Sequence, residues 1–142
     1  GIMLKVNKKV EYALIALKYI SDLKVEQISP LVSAREICEN FDTPFDTTAK
    51  VLQIMNNNGL LDSIKGIKGG YTLKSDLKDV TYIQLEEMIE GKVINNFCAK
   101  QKGVCNLMSN CNIVKPVANL NNKVNQMLKS ITLHELLVEV EQ

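Results

Sequence analysis

Apolar residues near the start of the chain recur at helical spacing. Between residues 7 and 22 they stand three or four positions apart, at Val10, Ala13, Leu14, Leu17 and Ile20. This period predicts an amphipathic helix. A second, shorter helix is predicted after Pro30, because Ser33 and Glu36 form a capping-box pattern ahead of another apolar face.

A third helix is predicted to run to Asn58, with Thr43 as its N-cap, Pro44 at its first position and Gly59 as its C-terminal stop. Its apolar side consists of Phe45, Thr48, Val51, Leu52 and Met55. Its other side consists of Thr47, Lys50, Gln53, Asn56 and Asn57. These polar groups can meet phosphates and base edges, so the second and third helices have the layout of a helix-turn-helix.

Two short strand patterns follow, at residues 60–64 and 71–73, on either side of a glycine-rich basic loop. A hairpin directly after a recognition helix has the form of a wing, and Lys65 and Lys68 would touch phosphate there. An ordinary hairpin turn is the alternative. A nucleotide-binding phosphate loop fits less well, because no helix opens straight after the glycines and no GK[ST] follows.

The last third of the chain carries an apolar seam. After a helix predicted over residues 80–90, steps of 4 and 3 alternate through Ile113, Val117, Leu120, Val124, Met127 and Ile131. This is the a/d pattern of a two-helix coiled coil, which predicts a homodimer. Packing of the seam on the first helix of the same chain is the alternative, and both arrangements can coexist. A capping box at Thr132 and Glu135 predicts a final helix.

Composition and charge fit one globular domain. The 142 residues are 46% hydrophobic and 23% charged with a net charge of +1, so no nucleic acid, membrane or acidic partner is demanded by the whole chain. Neither a signal peptide nor an apolar run of membrane-spanning length stands out, and we expect a cytoplasmic protein without a membrane partner. No nucleophile with a paired base is evident, and an enzyme is not expected.

Three of the four cysteines, Cys98, Cys105 and Cys111, follow a C-x6-C-x5-C spacing between two predicted helices. Cytoplasmic thiols stay reduced, which favours a metal or redox site over disulfides. Zinc sites typically use closer pairs, whereas three loop thiolates with an outside ligand suit an iron–sulfur cluster. Cys38 stands apart on an apolar helix face and is interpreted as a small buried hydrophobe.

The combination of motifs resembles bacterial winged-helix regulators of the IscR and NsrR type. The likeness is carried by Glu11-Tyr12-Ala13-Leu14, Ser33-Ala34-Arg35-Glu36-Ile37, Asn58-Gly59-Leu60-Leu61, Gly66-Ile67-Lys68-Gly69-Gly70-Tyr71, Glu90-Gly91, the cysteine triplet and Ile131-Thr132-Leu133. It implies a mainly α fold with a small β-hairpin wing. A winged helix-turn-helix DNA-binding domain would occupy residues 3–91, a cysteine-bearing cluster loop 92–112, and a dimerisation helix with a C-terminal helix 113–142.

The resemblance further implies a homodimeric transcription factor, usually a repressor, that binds a double-stranded DNA operator. An iron–sulfur cluster, 2Fe-2S or 4Fe-4S, would be held by the three loop cysteines. Cluster-biogenesis members use a histidine as fourth ligand where this chain has Val114. Similarity to nitric-oxide-sensing members favours Glu11 instead, reaching across the dimer; a solvated helix glutamate is the alternative for Glu11.

The predicted DNA-binding residues lie on the second helix, the third helix and the wing. Lys50 and Gln53 are candidates for base contacts and Lys65 and Lys68 for backbone contacts, and Arg35 and Thr47 complete the set. Cluster-biogenesis members carry a glutamate where this chain has Ala49, so their operator does not transfer. Two other functions stay open: a metal-free thiol redox switch, and a regulator that docks on an enzyme through the wing face.

Overall fold

The computed structural model of the chain describes residues 6–26, 30–91 and 112–138. The elements in these ranges are α1 (Lys8–Glu26), α2 (Ala34–Phe41), α3 (Phe45–Asn57), β1 (Leu61–Ile64), β2 (Gly70–Leu73), a 3-10 turn (Leu77–Asp79), α4 (Tyr82–Glu90), α5 (Val114–Ser130) and α6 (Leu133–Leu137). This order confirms the predicted fold, mainly α with one small hairpin. The three loop cysteines, Cys98, Cys105 and Cys111, lie outside the described residues.

The first helix forms the centre of the core. Its predicted apolar stripe is buried, and Val10, Leu17 and Ile20 are completely shielded from solvent. Small side chains at Ala13 and Ala16 are shielded as well, which lets neighbouring helices approach closely. α3 and α4 both pack against α1, so the recognition helix is held by the best-buried element of the described fold.

The turn between α2 and α3 departs from the predicted cap. Thr43 is not the N-cap of α3; Pro44 occupies that position and makes no side-chain capping bond. The Thr43 hydroxyl is engaged elsewhere, because it accepts from Thr48 Oγ1 at 2.8 Å and donates to Cys38 Sγ at 3.6 Å. Phe45, predicted on the apolar side, remains 55% exposed because it opens the helix beyond the edge of the core.

The hairpin of β1 and β2 is antiparallel and is tied to the start of α2. Val32 and Tyr71 exchange backbone hydrogen bonds of 2.9 and 2.8 Å, which adds Val32 to the edge of the hairpin. A Cβ at Gly69 would overlap the Ile64 carbonyl oxygen, and one at Gly70 would lie 2.8 Å from the Val32 carbonyl oxygen. The paired glycines therefore permit both close approaches.

Two capped helix starts lie side by side at the far end of the domain. Thr81 and Thr132 each form a complete capping box, at the start of α4 and of α6, and the second confirms the prediction. Tyr82 N–H donates to the Ile131 carbonyl at 2.9 Å, and Leu133 N–H donates to the Val80 carbonyl at 2.8 Å. The end of α5 is thereby joined to the start of α4.

The seam predicted on α5 is divided between two environments. Val124 and Ile131 pack against the core, whereas Ile113, Leu120 and Met127 are 50, 53 and 55% exposed. The intramolecular neighbour of α5 is α4, and not the first helix as the alternative had it. A stripe of apolar residues seven positions apart thus faces outward.

None of the described helices is both long enough and apolar enough to cross a membrane.

Candidate nucleic-acid interface

The recognition helix α3 is fixed on one side and open on the other. Val51, Leu52 and Met55 are at most 1% exposed and anchor the helix on the core. Lys50 and Gln53 project on the opposite, exposed side. The helical period therefore separates an anchoring face from a hydrogen-bonding face within one short element.

A cleft of about 600 Å³ opens between the start of α2, the exposed side of α3 and the wing. Its polar lining includes Ser33, Gln53, Asn56, Lys65 and Tyr71. Of the six residues predicted to bind DNA, the cleft brings together only Gln53 and Lys65. The other four lie on the same three elements but outside the cleft lining.

The basic side chains of this face carry charge without internal partners. Arg35, Lys50, Lys65 and Lys68 are all exposed, and none forms an ion pair with another described residue. Their charges therefore remain available to an external polyanion. Local arrangement supplies what a net charge of +1 does not.

A chain of side-chain hydrogen bonds crosses the cleft from the wing to the recognition helix. The Tyr71 hydroxyl donates to Gln53 Oε1 at 3.4 Å, and Gln53 Nε2 donates to Asn57 Oδ1 at 3.3 Å. The sequence placed Gln53 and Asn57 on one helix face but gave no role to the Tyr71 side chain. Its only signal was the tyrosine directly after the paired glycines.

Aromatic and carboxylate groups set the position of α2 against α1. The Tyr19 hydroxyl donates to Glu36 Oε2 at 2.5 Å, and the Tyr19 ring meets the Phe41 ring edge-on at 5.3 Å. The hydrogen bond to Glu36, followed by burial and the carboxylate charge, raises the pKa of Tyr19. Ser33 caps the Glu36 N–H at 3.1 Å, but the carboxylate binds Tyr19 rather than completing the predicted capping box.

The candidate metal ligands are only partly within the described structure. Glu11 stands in the first turn of α1, where its side chain is 43% exposed and lies 3.6 Å from Lys8 Nζ. Cys38 is half-buried rather than fully buried, and it receives the Thr43 hydroxyl. Within residues 6–26, 30–91 and 112–138, no group of three or more His, Cys, Asp and Glu residues could hold a metal ion.

Known proteins share both the sequence pattern and the fold. The chain matches the Rrf2 family profile, described as iron-dependent transcriptional regulator, over residues 6–139. An rrf2-like HTH-type transcriptional regulator of Rhodobacter capsulatus is 26% identical over 137 residues, which cover 93% of this chain and 91% of that protein.

Two solved structures have the same fold. CymR of B. subtilis, described as its global cysteine regulator, superposes with a TM-score of 0.71 at 22% identity, over 98% of this chain and all of that one. T. potens IscR superposes with a TM-score of 0.67 at 23% identity, over 97% of this chain and 89% of that one. Since the family profile spans nearly the whole sequence, this chain belongs to the Rrf2 family of transcriptional regulators and is not an enzyme.

Proposed function

We propose that the protein is a homodimeric repressor that binds operator DNA through α3 and the wing, under the control of an iron–sulfur cluster. The observation that carries the DNA-binding part is the shared cleft of α3 and the wing, bordered by elements whose cations lack internal partners. A duplex supplies both phosphates for the cations and base edges for the polar side of α3.

The DNA contacts divide by chemistry. Thr47, Lys50 and Gln53 lie on α3, the element that enters the major groove in helix-turn-helix proteins, and would meet base edges. Lys65 and Lys68 on the wing, with Arg35 on α2, would meet phosphates and position the helix. Phosphate contacts of this kind make affinity depend on salt concentration.

Dimerisation is supported by the outward stripe of α5, formed by Ile113, Leu120 and Met127. Three large apolar side chains, each about half exposed and seven positions apart, match the geometry of a helix pair related by two-fold symmetry. Two reading heads held in this way would bind half-sites about 34 Å apart, one turn of the duplex.

Cys98, Cys105, Cys111 and Glu11 would hold the cluster. Three thiolates and one carboxylate form a donor set that an iron–sulfur cluster accepts. Glu11 is half exposed and bound only to the neighbouring Lys8, which suits a carboxylate that must reach a second subunit. When bound, the cluster would supply a centre that responds to iron supply, oxidants or nitric oxide.

The coupling between signal and DNA runs through α5. Cys111 precedes Ile113, where the outward stripe begins, by two residues. A change in what the cysteines bind would therefore shift the dimer helix and the spacing of the two recognition helices. Because both must enter the groove together, a small shift is enough to change affinity.

The test compares wild type with Cys105→Ala and Cys38→Ala, all purified without oxygen. Visible absorption, iron and sulfide are measured first, followed by retention on a random duplex pool across salt concentrations. Wild type and Cys38→Ala should be brown and Cys105→Ala colourless. The DNA affinities of the cluster-loaded and cluster-free wild type should differ about tenfold. Identical binding of both forms at every salt concentration would refute the coupling.

One structural likeness keeps a second candidate in view. CymR, a cysteine regulator, superposes on this chain with a TM-score of 0.71, against 0.67 for IscR. A metal-free thiol switch would give a colourless wild type that resists reconstitution, loses thiols reversibly under oxidant and still binds DNA. Absence of any salt-sensitive DNA retention would instead support docking on an enzyme.

A further inference from the structure

The Tyr71 side chain connects two elements of the reading head that the backbone alone leaves separate. Its backbone is bonded to Val32 ahead of α2, while its hydroxyl reaches Gln53 on α3. One residue of the wing thus contacts both helices of the helix-turn-helix. Its ring position is set by the rigid strand register, with Ser63 as its partner across the hairpin.

The two hydrogen bonds of the Gln53 amide define its orientation. Oε1 faces the Tyr71 hydroxyl at 3.4 Å, and Nε2 faces Asn57 Oδ1 at 3.3 Å. Rotating the amide by half a turn would put Nε2 against Tyr71 and Oε1 against the Asn57 oxygen. The second contact would then join two acceptors, so the observed orientation is the one that satisfies both neighbours.

The direction of the chain determines which atoms remain for a ligand. Both amide oxygens accept from within the protein, and the uncommitted groups are the second N–H of Gln53 and the two N–H groups of Asn57. Lys50, one turn earlier on the same exposed side, contributes donors only. This side of α3 therefore presents a row of donors.

We infer that Tyr71 is a specificity-determining positioning residue that makes Gln53 select guanine over adenine in the major groove. Guanine offers two acceptors, O6 and N7, whereas adenine offers one acceptor and one donor. Paired recognition of adenine by Gln53 requires Oε1 to turn towards the base, which breaks the bond from Tyr71. The inference deepens the proposed DNA-binding function and rests on it.

The experiment uses the full-length protein. Duplexes are selected from a random pool with wild type, and each G·C pair of the selected half-site is then replaced by A·T in separate binding titrations. Gln53→Ala identifies the base pair that Gln53 reads, as the position where its substitution penalty disappears. Tyr71→Phe removes one hydroxyl and keeps the ring and the backbone bonds, and Tyr82→Phe in α4 is the matched control.

At the Gln53 position, replacing guanine by adenine should weaken wild-type binding about tenfold. Tyr71→Phe should reduce that penalty to about twofold while the penalties at other positions stay as they are. Tyr82→Phe should leave the whole profile unchanged. A merely structural role of Tyr71 would lower affinity for every duplex alike, and that result, or an adenine at the Gln53 position, would overturn the inference.

A measurement without DNA separates the two levels of failure. In the free protein, the side-chain NH₂ resonances of Gln53 should be dispersed in wild type and move towards values of an unbonded amide in Tyr71→Phe. Unchanged resonances would refute the orienting role of Tyr71. If wild type enriched no duplex while Tyr71→Phe still shifted these resonances, the proposed DNA binding would fail and the specificity inference with it, but the orienting contact would stand.

Discussion

Tyr82 links the stability of the fold to pH through a single hydroxyl. The side chain is buried at the start of α4, and its hydroxyl donates to Glu86 Oε2 at 3.0 Å. Burial, then the hydrogen bond, then the carboxylate charge raise the pKa of Tyr82 above its ordinary value of 10.0. The folded protein thus keeps a proton that the unfolded chain releases near pH 10.

The sign of the pH dependence follows from that raised pKa. The stabilisation is complete below about pH 10 and is lost as the pH rises towards the pKa of the folded state. Above pH 10, the free energy of unfolding of wild type should fall more steeply than that of Tyr82→Phe, by up to about 1.4 kcal/mol per pH unit. Urea titrations over this range measure the difference. Tyr12→Phe is the control, and equal slopes for wild type and Tyr82→Phe would contradict the prediction.

Side-chain partners at the residue scale were the part of the site that sequence could not give. Periodicity assigns Gln53 to an exposed face, but its hydrogen bond joins it to Tyr71, eighteen positions away. Tyr19 similarly takes Glu36 from its predicted capping role across a separation of seventeen positions. Local patterns rank only local partners, so a group from another element can win.

At the element scale, the turn between α2 and α3 depends on a residue in a left-handed conformation. Asp42 has φ 56° and ψ 43°, and its N–H donates to the Cys38 carbonyl at 2.9 Å. This geometry closes α2 and sets the angle at which α3 leaves. Asp tolerates the conformation better than most residues, and Gly tolerates it best.

Substitution at Asp42 should therefore separate glycine from alanine. Asp42→Ala should be less stable than Asp42→Gly by about 1 kcal/mol, because a Cβ is strained in the left-handed region. Urea denaturation of both variants measures this difference. At the exposed helical position Glu39 the order should reverse, with Ala the more stable, since helix interiors disfavour Gly. Equal stability of the two Asp42 variants would show that the turn relaxes to another conformation.

Element types were more predictable than element boundaries. The helical period gave α1 to α3, and the glycines between strand patterns gave the hairpin. Thr43 was misplaced as the cap of α3 because Thr48 and Cys38 compete for its hydroxyl. The predicted first helix ended near Asp22, whereas α1 continues to Glu26. Polar residues beyond the last buried turn carry little periodic signal.

At the scale of the whole molecule, α5 serves two partners at once. Its 3.5-residue period assigns six positions to one seam, but the position of α4 decides which of them are covered within the chain. Val124 and Ile131 pack inward, and Leu120 faces outward at 53% exposure. The period indicated an interface, and only the packed structure shows which half remains available.

This division predicts that dimerisation can be lost without loss of the fold. Leu120→Glu should produce a monomer in sedimentation velocity, because it places a charge in the centre of the outward stripe. Its helical circular dichroism should be retained. Asn119→Glu, one position away on an exposed part of the helix, should stay dimeric. A dimeric Leu120→Glu would place the subunit interface elsewhere.

The joined helix starts at Thr81 and Thr132 give α5 a pivot. The described hydrogen bonds that link this helix to another element all lie at its Ile131 end. Its 17 residues extend about 25 Å from that point towards Cys111. By lever geometry, a displacement of about 4 Å at the cysteine end corresponds to a rotation of only about 10° at the pivot. The helix thus works as a reduction gear, turning a coarse chemical rearrangement into a fine angular adjustment of the domain.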